Sequence, residues 1–253
     1  MKIAGRLNSS KLKPAQGFAH YFHIGLASFL PAILFVLVRI DFVTLALLLV
    51  LLSKWRMFVV RPRYWLVNLI SNAVDIIVGL SVVIFMSHTS SALAQLTIAL
   101  LYGVWLVFIK PRSSVFFVSS QALISLATGL VATYMTWVDA PTLLMVIVTW
   151  LVAYLSARHF FTSFEDDFND FYAYTWAYFS AALVWLLGHW LLFYGVIPQP
   201  ALLLTVLGFG LGGMYYLDDK DRLTPLVKRQ FMFIMFAVVL VVLVFSDWGD
   251  KTL

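Results

Sequence analysis

The sequence predicts an all-α fold: a polytopic integral membrane helical bundle of about nine transmembrane helices, with the N-terminus cytoplasmic and the C-terminus outside. Hydrophobic residues make up 62% of the 253 residues, and charged residues only 11%. The mean hydropathy is +0.95. A water-soluble core could not bury that much apolar surface, so lipid is the predicted solvent for most of the chain.

Apolar runs separated by short polar breaks mark the individual helices. They fall near residues 18–38, 40–60, 64–86, 93–109, 115–138, 142–157, 172–197, 201–217 and 230–247. Tryptophan and tyrosine cluster toward several of their ends, as rings that favour the membrane interface do. The run at 40–60 is the weakest, because its apolar part is short and Lys54 and Arg56 must extend toward the lipid headgroups.

The positions of the basic residues orient the helices. With nine spans, 15 of the 17 lysines and arginines fall on the side of the N-terminus, and only Arg39 and Lys251 fall on the other. Because short cytoplasmic loops are enriched in lysine and arginine, this side is predicted to be cytoplasmic and the membrane to be the cell membrane. The predicted domains are a basic cytoplasmic segment 1–17, a single transmembrane domain 18–248 and a short outer tail 249–253. The first apolar run lacks a small-residue cleavage site, so we expect a retained helix.

Composition also excludes several classes of function. The chain contains no cysteine, which rules out disulfides and thiolate chemistry. Its net charge of +5 is spread over short loops, so no nucleic-acid partner is expected. Membrane lipids are the predicted partners, and partner proteins within the membrane stay open. Since the predicted outer loops are very short, a site is expected inside the membrane or on the cytoplasmic face.

A polar stripe distinguishes the predicted helix at 64–86. At 100° per residue, Asn68, Asn72 and Asp75 share one face, and Asp75 falls near the centre of the hydrocarbon core. A carboxylate at that depth costs roughly 2.5 to 3.5 kcal/mol on insertion scales. Asp75 is therefore predicted to lie inside the bundle and to bind, pair or carry a proton.

Two further groups of polar residues could complete a cleft. Gln121, Ser125 and Thr128 repeat the helical spacing at a similar depth, and His189 lies further out. Together with the stripe they predict a polar cleft that opens to the cytoplasm and ends at Asp75. The alternative is that the neutral groups form interhelical hydrogen bonds of about 0.6 kcal/mol each, and that His189 is a packing residue.

Six basic residues gather at the predicted cytoplasmic surface. They could hold a phosphate or an anionic headgroup, although ordinary cytoplasmic charge bias explains them equally well. Residues 54–62 fit K-x6-R-P, the first motif of the lipid-phosphate phosphatases, but the other motifs of that family are missing and the class is excluded. The basic residues are Lys54, Arg56, Arg61, Arg63, Lys110 and Arg112.

An acidic loop follows the sixth predicted helix. Within SARHFFTSFEDDFNDF, Asp166, Asp167 and Asp170 form D-D-x-x-D. Carboxylates at this spacing can share Mg²⁺ and hold a diphosphate, since Mg²⁺ prefers oxygen ligands. The alternative is a solvated acidic loop.

Nine helices, an inward N-terminus and this acidic loop are together similar to the intramembrane aromatic prenyltransferases. The resemblance implies Mg²⁺-dependent transfer from a lipid diphosphate. In that family a first aspartate-rich motif ends the second helix, where this chain instead has Lys54, Arg56, Arg61 and Arg63.

Three classes of function follow from the sequence. The first is a membrane carrier or translocator for a lipid-like or anionic solute, with its cleft ending at Asp75 and proton coupling as an option. The second is the Mg²⁺-dependent transferase, and the third is a non-catalytic subunit of a membrane complex. No cofactor is expected except Mg²⁺ for the transferase.

Overall fold

The computed structural model describes residues 18–54, 61–137, 139–188, 190–194 and 197–250. This part of the chain is nearly all helical, which confirms the predicted fold class at that level. The segments 1–17 and 251–253, together with Arg56 and His189, lie outside the described residues. The helices are α1 Phe18–Arg39, α2 Val43–Leu52, α3 Trp65–Ser71, α4 Ala73–Ser87, α5 Ala92–Val104, α6 Val115–Trp137, α7 Thr142–Phe161, α8 Asn169–Leu187, α9 Gln199–Asp219 and α10 Pro225–Phe245.

Within the described ranges, five segments are long and apolar enough to cross a membrane. They are α6, α7, α9, α10 and the segment Ala92–Ile109, in which α5 continues as a π-helical turn. The bent pair of α3 and α4 would make a sixth. The second predicted run is shorter than expected, because α2 has 10 residues and rises only about 15 Å.

The predicted continuous helix at 64–86 is wrong. Helix α3 ends at Ser71, α4 begins at Ala73, and the two are bent by 60°. Asn72 lies at the break, with φ −100° and ψ 2°. Its side-chain Nδ2 donates to the carbonyl oxygen of Asn68 at 2.8 Å, a local bond of the kind that competes with regular helix. Asp75 therefore occupies the first turn of a new helix.

The predicted helix at 172–197 is also corrected. Helix α8 ends at Leu187, and the chain then forms β1 Trp190–Tyr194 and β2 Ile197–Pro198. β1 also pairs antiparallel with β3 Asp247–Asp250, so the sheet order is β2-β1-β3. Part of the predicted outer tail thus belongs to a strand. The β1–β3 pairing joins distant parts of the sequence, so a local apolar pattern could not reveal it.

The two largest clusters of buried residues among those described join most of the helices. One contains Leu34, Val50, Val83, Met86 and Tyr102, and it joins α1, α2, α4 and α5. The other lies between α6, α7, α8 and α9, and its buried residues are Leu126, Leu130, Met145, Val152, Ala153, Val184, Ala201 and Leu204. Helix α4 also packs on α6 and so connects the two clusters.

The outer surface of the bundle is strongly apolar. On α10, for example, Phe233 is 70% and Phe236 is 66% exposed. The same holds for large side chains along α5, α7 and α9. Such a surface suits contact with lipid, as the composition predicts.

Three loops, 110–114, 162–168 and 220–224, lie at one end of the bundle, which we call the charged end. Gln121 near the start of α6 bonds to Arg112 and to His159 near the end of α7, and Tyr215 near the end of α9 bonds to Asp166. Local capping begins α10 here: the Thr224 hydroxyl accepts from the Val227 N–H, and Pro225 occupies the first turn. The sequence predicts that this end is cytoplasmic.

Candidate functional site

Asp75 forms a cluster with two lysines at the charged end. Its Oδ2 accepts from Lys54 Nζ at 3.0 Å and from Lys110 Nζ at 2.7 Å. The Asp75 side chain is only 13% exposed and that of Lys54 only 9%, whereas Lys110 is 36% exposed. We call these three residues the charge triad.

The triad explains how an aspartate is tolerated in this apolar chain. A buried carboxylate is stable only when opposite charges and hydrogen bonds replace its water shell. Lys54 follows α2, Asp75 begins α4, and Lys110 follows the π-helical turn of α5. The triad therefore fastens the ends of three helices, and Lys110 exposes the surplus positive charge to the surface.

Gln121 is engaged elsewhere and does not extend the triad into a cleft. Its Nε2 donates to the carbonyl oxygens of Ile109 at 2.8 Å and Arg112 at 3.0 Å. Its Oε1 is 2.9 Å from His159 Nε2. Gln121 thus ties the start of α6 to the preceding loop and to α7.

The other predicted cleft residues also bond to one another or to their own helices. Ser156 Oγ donates to Ser125 Oγ at 3.1 Å, between α7 and α6. Thr128 Oγ1 donates to the Ile124 carbonyl at 2.7 Å. With Asn72 bonded to Asn68, the described cleft candidates form separate local contacts, which fits the alternative of structural hydrogen bonds.

The basic residues of the predicted headgroup site are divided by the fold. Lys54 is buried against Asp75 and does not extend to the surface. Arg61 and Arg63 are exposed, and the Arg63 guanidinium lies 4.5 Å from the centroid of the Tyr64 ring. Arg112 lies over the Phe117 ring at 4.4 Å. The described contacts of Arg63 and Arg112 are thus with aromatic rings, while Lys54 and Lys110 contact Asp75.

The three aspartates of the acidic loop have different surroundings. Asp166 is half-buried, with Oδ2 accepting from the Tyr215 hydroxyl and Oδ1 from the Phe168 N–H, both at 2.9 Å. Asp167 and Asp170 are exposed. In the part of the chain that the structure describes, no group of three histidine or acidic side chains is placed to hold a metal ion.

An apolar groove of about 710 Å³ lies beside this loop, between α6, α7, α8, α9 and α10. It occupies the half of these helices nearest the charged end. None of its lining residues is among the site residues predicted from the sequence. Its walls contain Phe116, Ser119, Ser120, Ala122, Leu123, Leu126, Ser156, Ala157, Phe160, Phe161, Tyr172, Thr175, Trp176, Phe179, Gly208, Phe209, Leu211, Gly212, Gly213, Tyr215, Tyr216, Leu217 and Phe231.

Glycines of α9 help to leave this space open. Gly208 and Gly212 lie one turn apart and both line the groove. A Cβ atom at Gly212 would lie 3.6 Å from the Phe160 ring, which is ordinary van der Waals distance. The stretch GFGLGG was the available signal for the groove, but which glycines face it depends on how α9 packs.

Aromatic rings close the groove toward the acidic loop. The centroid of the Tyr215 ring lies 4.9 Å from that of Phe164, 5.2 Å from Phe161 and 6.0 Å from Tyr172. These spacings suit edge-to-face packing. The rings hold Tyr215 in place, so its hydroxyl is directed to Asp166.

No protein family matches the chain, and neither a curated protein nor a solved structure is similar to it. The candidate site consists of the paired charge triad and the apolar groove, both at the charged end of the bundle.

Proposed function

We propose that this protein is an integral protein of the cell membrane that binds a lipid-like amphipathic molecule in the groove and acts as its carrier. The observation behind the proposal is the groove itself. Its volume of about 710 Å³ falls within the roughly 300–1,000 Å³ of typical ligand pockets.

The surroundings of the groove favour a lipid-like ligand over a water-soluble one. Four of its five helices are long and apolar enough to cross a membrane. Aromatic and aliphatic side chains supply most of the walls, and hydroxyl groups are scattered among them. An apolar chain suits such walls, while a sugar or an ion would leave its polar groups unsatisfied.

The polar end of the ligand must supply much of the selectivity. An apolar chain gains little free energy on moving from the bilayer into the groove, because both surroundings are apolar. Binding must therefore depend on shape and on contacts near Tyr215 and Asp166. This proposal moves the ligand site of the carrier away from Asp75, whose charge is already paired.

Trp176 gives a direct test, because its side chain lines the groove. The full chain is placed in phosphatidylcholine nanodiscs and titrated with a dibrominated long-chain alcohol, whose bromines quench nearby tryptophans. The chain has nine tryptophans, so a Trp176→Phe variant measures the quenching of the other eight. The difference between the two titrations is the quenching of Trp176. We expect a saturable quenching component that disappears in Trp176→Phe.

A second variant fills the groove. Gly212→Leu should weaken the Trp176-dependent quenching by about tenfold or more, equal to roughly 1.4 kcal/mol, because the new side chain occupies the ligand space. Gly25→Leu is the matched control, since Gly25 is exposed on α1 with nothing within 4 Å of an added Cβ. Equal quenching in both variants, or none that depends on Trp176, would refute lipid binding in the groove.

For the topology we propose nine membrane passages, with α3 and α4 forming one bent passage, the N-terminus inside and the C-terminus outside. The distribution of basic residues supports this orientation. Because the chain lacks cysteine, single cysteines can be introduced at the exposed positions Ser90, Ser113 and Thr224. An impermeant thiol reagent should label Ser90→Cys from outside and the other two only after the membrane is opened. Labelling of Ser113→Cys in sealed cells would refute the orientation.

A further inference from the structure

We infer that the polar end of the groove selects a ligand whose headgroup is a hydrogen-bond donor, a hydroxyl or an amine, and discriminates against phosphate and carboxylate headgroups. This inference rests on the proposed lipid binding and narrows it to one chemical class. Of the two solutes that the sequence predicts, lipid-like or anionic, it keeps the lipid-like one and sets aside the anionic one.

Three hydroxyl groups of the walls already donate their hydrogens to carbonyl oxygens of their own helices. Ser119 Oγ donates to the Val115 carbonyl at 2.7 Å, and Ser120 Oγ donates to the Phe116 carbonyl at 2.9 Å. Thr175 Oγ1 donates in the same way to the carbonyl one turn earlier in α8, at 2.9 Å.

The hydrogen of each of these hydroxyls is thus used within its own helix. What remains available to a ligand is the oxygen lone pairs, which accept hydrogen bonds. A donor headgroup can use them directly. A phosphate or carboxylate would have to draw each hydrogen away from its helical carbonyl.

Asp166 lies beside Tyr215 at the end of the groove. Its carboxylate contacts Tyr215, a residue of the groove wall, through the 2.9 Å hydrogen bond. The Tyr215 hydroxyl already donates its hydrogen in that bond. A ligand at this end therefore meets the phenol oxygen of Tyr215, which accepts, with the Asp166 carboxylate beside it. The hydroxyls of Tyr172 and Tyr216, which also line the groove, can accept as well as donate.

The charges near Asp166 reinforce this preference. The segment 162–171 also carries Glu165, Asp167 and Asp170 and contains no lysine or arginine. Nearby cations are partly engaged: Lys220 is paired with Asp219 at 2.8 Å, and Arg158 Nη1 donates to the Tyr154 hydroxyl at 2.8 Å.

Among the described residues, Asp166 makes no ion pair with a lysine or arginine. Lys228 and Arg229 are exposed on the first turns of α10, and Arg112 lies over Phe117. The group in direct contact with the groove wall is the Asp166 carboxylate. A headgroup at Tyr215 therefore lies next to this negative charge.

The test compares amphiphiles that share one dibrominated chain and differ only in the headgroup: alcohol, amine, carboxylate and phosphate. Each is titrated into nanodiscs of phosphatidylcholine that contain the full chain. The Trp176-dependent quenching is plotted against the amount of amphiphile in the disc, which corrects for different partitioning. We expect the alcohol and amine to bind on the order of 10- to 100-fold more tightly than the two anions, from the repulsion of one nearby unit charge.

Asp166→Asn should reduce the preference for the amine over the carboxylate by about tenfold, since it removes the charge and keeps the shape. Tyr215→Phe, which keeps the ring but loses the hydroxyl, is a second variant should Asp166→Asn fold poorly. It should weaken the alcohol and leave the preference for amine over carboxylate in place. Asp139→Asn is the control, because Asp139 is exposed at the opposite end of the bundle.

The outcomes separate the two proposals. If the anions bind as tightly as the alcohol and amine, the inference about the headgroup is overturned while lipid binding in the groove stands. An unchanged preference in Asp166→Asn would overturn the role of that carboxylate. If none of the four amphiphiles gives Trp176-dependent quenching, lipid binding itself fails.

Discussion

The charge triad and the groove lie at the same end of the bundle, but they differ in packing. The triad is a set of paired charges in a closely packed region, whereas the groove is an open space with mostly apolar walls. Around Asp75 every charge has a partner on a neighbouring helix, and the surrounding side chains are closely packed. In the groove, helices that pack well elsewhere leave about 710 Å³ open.

This difference separates a feature that holds the helices together from a feature that can bind a ligand. A conspicuous buried charge that is fully paired is consistent with assembly of the helices, because breaking such a pair is costly. An unfilled space among otherwise tightly packed helices is a better candidate for a ligand, since interiors are normally close-packed. Substitutions in the two regions should therefore have very different consequences.

The largest effect is expected for Asp75→Leu. This change removes the carboxylate and leaves the buried Lys54 ammonium without the partner it has in the triad. Breaking a buried pair typically costs about 3 to 5 kcal/mol. The free energy of unfolding in mixed micelles, measured by denaturant titration, should fall by that amount.

A double variant provides the control for this prediction. In Asp75→Leu combined with Lys54→Met, the buried cation is removed as well, and Lys110 can turn toward the surface because it is 36% exposed. Stability should recover most of the loss. If Asp75→Leu alone were as stable as the parent, the triad would have no structural role. The proposed contrast between a structural triad and a ligand-binding groove would then be wrong.

A smaller loss is expected for Gly129→Ala in the tightly packed region. A Cβ atom at Gly129 would lie 2.6 Å from Ile77 Cγ2 and 2.9 Å from Val152 Cγ1. Three helices, α4, α6 and α7, meet here, so neither neighbour can move freely. Overpacking of this kind costs about 1 to 3 kcal/mol, which the same unfolding titration would detect. An unchanged midpoint would show that this junction is loosely packed.

The same substitution in the groove should have the smallest effect. Gly212→Ala places its new methyl group 3.6 Å from Phe160, so it meets no clash. Because alanine is a better helix former than glycine, stability should stay the same or rise by up to about 1 kcal/mol. If Gly212→Ala lowered the free energy of unfolding as much as Gly129→Ala, α9 would be packed as tightly here as α6 is at Gly129, which would contradict the open groove.

Much of the fold could be predicted from local pattern, and the failures have identifiable causes. The apolar runs of α5, α6, α7 and α10 are long and uninterrupted, so composition alone located them. The break at Asn72 was missed because the helical projection assumed one continuous helix. The side-chain bond from Asn72 to Asn68 marks the point where that assumption fails.

The candidate site was less predictable, since it depends on residues that look ordinary in the sequence. The sequence predicts that Asp75 is buried and needs a partner, but it places Lys54 and Lys110 among the residues expected to bind lipid headgroups. In the groove, Trp176 and Phe160 resemble any other aromatic residues of a membrane helix. Asp166 was noted for its spacing with Asp167 and Asp170, whereas its described contact is with the distant Tyr215.

The sequence by itself determined the solvent of this protein, because its apolar content can only be buried with the help of lipid. It also determined that an isolated aspartate among apolar residues must lie inside the bundle, as the cost of leaving it unpaired is a local property. Only the tertiary structure decided which lysines pair with Asp75 and which glycines of α9 leave a space. Both depend on the rotation and position of helices relative to one another, and these are set by side-chain packing across the whole bundle.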